Sequence, residues 1–164
     1  MIQALKQQIK NLYIRLLALA NVPSSQGEKI YTHAQALRGK DASPRDVASD
    51  EYGCAESVST ILATLFPPFQ VVTGTYTLYM VLKGAVEFME VSTPLRGDIL
   101  ISPTGFGGQG GISNGHVGIV SDNRIVMSNN SITGLWDTHY TLDSWRERYQ
   151  VIGGYPVKFF RRIL

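Results

Sequence analysis

Near residue 85 the spacing of apolar residues changes from helical to alternating, and that switch narrows the folds open to the chain. Ile2, Leu5, Ile9, Leu12, Leu16 and Leu19 recur at alternating three- and four-residue steps, which draws a seam along one side of a helix. Val22-Pro23 ends it. A second helix opens with a capping box from Ser25 to Glu28 and runs through Ile30, Ala34 and Leu37 to Gly39. Residues 40–48 are polar, contain Pro44, and read as a surface loop. A third helix starts at Cys54, carries Val58, Ile61, Leu62 and Leu65 on one face, and is stopped by Pro67-Pro68. Thr75 to Leu82 forms a fourth, ending at Gly84. Beyond it, residues 86–91, 99–102, 116–120 and 124–128 are short, rich in β-formers and bounded by turn residues. Residues 141–149 read as a late helix and 155–160 as a closing strand. Helices first and strands after predict an α+β domain built on an antiparallel sheet.

With 164 residues, the chain has room for one domain with a real core. The expected division is an N-terminal amphipathic helix over residues 1–22 and a main domain over 23–164. The seam is too short for a coiled coil, so the helix is expected to pack on its own domain; self-association or a membrane surface are the alternatives. Arg15 interrupts the apolar run, so no signal peptide is expected, and no segment is long enough to span a membrane. Net charge is only +2, with basic residues scattered, which argues against a nucleic-acid partner. The one cysteine rules out an internal disulfide.

Gly105-Phe106-Gly107-Gly108-Gln109-Gly110 satisfies G-x-G-x-x-G, but a dinucleotide site needs those glycines to open a helix. A strand follows instead, so a loop is expected. His33, His116 and His139 lie far apart and have no ligand-like spacing, and no metal is proposed.

The chemistry gathers around Cys54. A cysteine where a polar loop turns into a helix meets the positive end of the helix dipole, which favours a thiolate. Backbone N–H groups of the first turn lack intrahelical partners and are free to stabilise an oxyanion. His116, between Gly115 and an apolar strand, is the candidate base. Tyr52 and Asn114, beside the cysteine and the histidine, are candidate substrate-binding residues. If Asp122-Asn123 closes a two-residue hairpin, His116 faces Asn129, whose side-chain oxygen would orient the imidazole. A one-residue change in the loop nominates Ser128 or Asn130 instead.

Gly53-Cys54-Ala55-Glu56-Ser57-Val58 resembles the nucleophile motif of NlpC-like and CHAP cell-wall peptidases. Arg96-Gly97-Asp98-Ile99-Leu100 resembles their Gly-Asp strand, and Gly115-His116-Val117-Gly118-Ile119-Val120 their histidine strand. The order of these motifs also agrees, over about residues 50 to 130. The resemblance implies a papain-like fold with the nucleophile helix packed on a small antiparallel sheet. It implies hydrolysis of peptidoglycan amide bonds through a thioester, by an endopeptidase or an amidase, with no metal or organic cofactor. Gly53 stands where NlpC-like enzymes usually have Asp, and Asn129 where many have a third histidine. The Gly-Cys pairing leans toward CHAP and phage-type lysins, held in the host cytoplasm until release or carried on the virion. The rival readings are a catalytically silent wall-binding or virion domain, and an acyltransferase of the lecithin–retinol type.

Overall fold

Of the four helices that the apolar spacing predicts ahead of the sheet, three lie wholly within the described residues. In the computed structural model, which describes residues 5, 7–9, 11–13, 16, 24–42 and 53–164, they are α1 (Ser25–Ala36), α2 (Cys54–Leu65) and α3 (Thr75–Gly84). Ser24 rather than Ser25 caps α1: its Oγ accepts from Gly27 N at 2.9 Å and donates to Arg162 O at 2.8 Å. Glu28, expected in the capping box, instead pairs with Arg96.

Six strands follow: β1 (Phe88–Val91), β2 (Ile99–Ser102), β3 (His116–Val120), β4 (Ile125–Asn129), β5 (Trp136–Thr141) and β6 (Lys158–Arg162). They form one sheet in the order β1-β6-β2-β3-β4-β5, and every neighbouring pair is antiparallel. The molecule is therefore α+β, and the G-x-G-x-x-G segment is a loop between β2 and β3.

Both faces of the sheet are covered. Helices α1, α2 and α3 lie over Ile99, Ile101, Val117, Ile119 and Met127, with Val58, Ile61 and Leu62 of α2 fully buried. Each such side chain contributes about 1.5–3 kcal/mol of burial. On the other face, Leu100, Val120 and Val126 meet Leu142, Trp145 and Tyr149. These three come from α4 (Leu142–Trp145) and a wider π-type turn over Arg146–Ile152 that continues it.

Two glycine- and charge-dependent contacts set how α1 meets the sheet. Gly97 has φ +83°, and a Cβ there would lie 2.0 Å from the backbone oxygen of Gly27, so only glycine fits at this crossing. Next to it, buried Asp98 accepts from Arg161 Nε at 2.9 Å and Nη2 at 2.7 Å, and from Leu95 N at 2.7 Å. The Arg-Gly-Asp segment is thus an architectural joint between α1, β2 and β6.

The sequence reading needs three corrections. Strand β5 was not anticipated; it pairs with β4 and is tied to the end of α1 by Trp136 Nε1 donating to Ala34 O at 3.0 Å. The β3–β4 loop has three residues, Asp122–Arg124, with positive φ at Asn123 and Arg124, and Ser121 N donates to Ile125 O at 2.7 Å. Ile119 therefore pairs with Met127 and Val120 with Val126, one residue off the expected register. Last, residues 5, 7–9, 11–13 and 16 are helical, but Leu5, Ile9, Leu12 and Leu16 are exposed rather than packed on the domain.

Candidate active site

Cys54 is the first residue of α2, with Gly53 as its N-cap. The apolar stripe of α2 anchors the helix on β3 and β4, so its N-terminus lies at the end of the sheet where β3 begins. Ser59, one turn further along, bonds both the N–H and the C=O of Val72 at 3.0 Å. That pins the segment carrying Thr73 and Gly74 beside the cysteine.

His116 is the first residue of β3. Gly115 before it passes so close to β2 that a Cβ would lie 2.0 Å from Ser102 O. Gly115 N donates to Thr104 Oγ1 at 2.9 Å, and Thr104 N donates to Thr75 Oγ1 at 3.0 Å, which links the strand to the start of α3. The imidazole is fixed on three sides. Trp145 and Tyr149 stack against it, with ring centroids 5.1 and 5.7 Å away. Its Nε2 lies 3.1 Å from Ser128 Oγ.

The residue bonded to His116 is therefore Ser128, not Asn129, and the cause is the longer hairpin loop. In the observed register Ser128 falls opposite Gly118, two residues along the same face from His116. Gly118 has no side chain to fill the space between them. Asn129 points to the other face, where it pairs in register with Trp136, and it is buried.

Cys54 and His116 line one cavity of about 590 Å³ at the end of the sheet. They are not hydrogen-bonded to each other. Burial pushes the Cys54 thiol up to about 11, outweighing backbone hydrogen bonds from Val117, Ala55 and Cys54 that favour the thiolate. Burial, then the charges of His139 and Arg148, holds His116 down to about 3. Both groups are neutral at pH 7. The sequence expectation of a thiolate considered the helix dipole but not this burial.

Asn114 also lines the cavity, as expected for a substrate contact, whereas Tyr52 lies outside the described residues. Among the lining residues that sequence reasoning missed are His139 and Tyr140 on β5, and Arg148 and Tyr149 on the widened turn. The signal for the first pair was present. Trp136, Thr138 and Tyr140 alternate with Asp137 and His139, a strand pattern in β-favouring residues. Among the described residues no group of three or more His, Cys, Asp or Glu side chains is gathered for a metal. None of their helices is long and apolar enough to cross a membrane.

No protein-family model matches the sequence, and no curated protein matches it. The fold is similar to a chain in the crystal structure of the type VI native effector–immunity complex Tae3–Tai3 from Ralstonia pickettii. The TM-score is 0.54 at 18% identity, covering 84% of this chain and 99% of that one. At that identity the likeness is one of fold.

Proposed function

We propose that the protein is a peptidoglycan hydrolase, with Cys54 as nucleophile and His116 as its general base. The observation that carries the reading is the meeting of the helix-N-terminal cysteine and the strand-initial histidine in one cavity. The Cys54 sulfur attacks a stem-peptide amide carbonyl as its proton passes to His116. First-turn N–H groups of α2 stabilise the oxyanion. The amine leaves with that proton, and water, deprotonated by His116, then hydrolyses the thioester. Because thiol and imidazole are both neutral at rest, His116 acts in the complex rather than as a standing ion pair. With Nε2 engaged by Ser128, Nδ1 is the nitrogen that exchanges the proton.

The bond cleaved lies within the stem peptide or between peptide and sugar. The sequence motifs favour a phage-type lysin; the likeness in fold to a chain of a type VI effector–immunity complex makes an effector the other setting for the same reaction. A catalytically silent domain of the same fold is the second reading, favoured by one observation: the thiol and imidazole make no hydrogen bond to each other. Mass spectrometry of soluble products from purified peptidoglycan separates the two. The hydrolase releases fragments with a newly exposed amine, and the silent domain releases none.

A further inference from the structure

Among the described residues that line the cavity holding Cys54 and His116, Arg148 is the one cationic side chain and none is Asp or Glu. Arg148 stands at its wall, its guanidinium carbon 5.6 Å from the Tyr149 ring centroid. The other arginines and lysines in ion pairs have their acids: Arg38 with Asp137, Arg96 with Glu28 and Asp122, Arg124 with Asp143, Lys158 with Glu90 and Arg161 with Asp98. Arg148, like Lys29, Lys40, Lys83, Arg146 and Arg162, is in none of the ion pairs among the described residues, and of these six it is the one that lines the cavity. The turn that carries it departs from α geometry beside the cleft, a local distortion common at functional sites.

We propose that Arg148 binds a carboxylate of the substrate in the same cavity as Cys54 and His116. The fork of a guanidinium matches a carboxylate in two parallel hydrogen bonds. The inference rests on the hydrolase reading and narrows it: the substrate is a stem peptide with a free carboxylate beside the scissile amide, rather than the amidated form. Binding has a second consequence at the base. The charge of Arg148 helps to hold His116 below its ordinary value, together with burial and His139. A bound carboxylate offsets that charge and makes His116 the stronger base when the correct substrate is present.

The test is calorimetric binding to the full-length Cys54→Ala protein, which cannot turn substrate over. Two soluble muropeptides of one sequence serve as probes, one with free carboxylates and one with those groups amidated. The acidic peptide should bind about tenfold more tightly, and Arg148→Gln added to Cys54→Ala should reduce that preference to about twofold or less. Arg148→Lys should keep part of it, because the charge stays while the fork is lost. Equal binding of the two peptides, or a preference that survives Arg148→Gln, overturns the proposal. These outcomes are independent of turnover. A protein that prefers the acidic peptide through Arg148 yet cleaves neither in its wild-type form keeps this inference and loses the hydrolase. One that cleaves both but binds them equally does the reverse.

Discussion

Around His116, the contact at Ser128 and the stacked rings of Trp145 and Tyr149 leave the imidazole one orientation. Ser128→Ala should cost about 0.5–1.5 kcal/mol of stability. It should also shift the His116 ring resonances in NMR and lower turnover, whereas Asn129→Ala, on the far face, should leave those resonances in place. The reverse pattern would restore the register read from sequence. At Cys54, position was legible in the sequence and environment was not. Gly53-Cys54 before an apolar helix reveals the helix end, but nothing in that hexapeptide tells how deeply the sulfur is covered. With the thiol pushed up to about 11, alkylation by iodoacetamide should be slow at neutral pH and rise between pH 9 and 11. A midpoint below 8 would mean that the helix end outweighs burial. The two neutral groups also bound the stability profile. Stability from the thiol is full below pH 9 and drains as pH rises toward 11; that from His116 is full above 6.5 and drains as pH falls toward 3.

Among the elements, the helices and the other strands were readable because each carries its own period, and the edge strand β5 was not. β5 alternates polar with aromatic residues and follows a loop, so its pairing depends on β4 and on α1 rather than on its own apolar content. The β3–β4 hairpin was legible in outline, but one extra residue in its loop moved every pairing and exchanged Asn129 for Ser128. The Gly-Asp segment was read as a motif, and only the structure reveals its work. Asp98 and Arg161 are both buried and hydrogen-bonded on two sides where β2 and β6 meet. Arg161→Met leaves the Asp98 carboxylate without its partner and should lower stability by about 3–5 kcal/mol in urea unfolding. A loss under about 1 kcal/mol would mean that water replaces the guanidinium.

Across the whole molecule, the site depends on where three layers end together. The N-terminus of α2 from one face, the start of β3 in the sheet, and the widened turn after α4 on the other face converge on one cavity. None of the three alone holds a nucleophile, a base and a cation; the antiparallel order of the strands brings them together. The sequence order of cysteine, Gly-Asp and histidine conveyed the first two layers. It could not convey the third, because Arg148 is 32 residues beyond His116 and reaches the cleft only through folding. The most direct measurement compares release of soluble fragments from purified peptidoglycan by the wild type, Cys54→Ala, His116→Ala and the double variant, each checked for native circular dichroism. A working pair fails as a unit, so all three variants should fall to the same baseline while the wild type releases fragments. Wild-type release by folded Cys54→Ala would contradict a nucleophilic sulfur at that helix end.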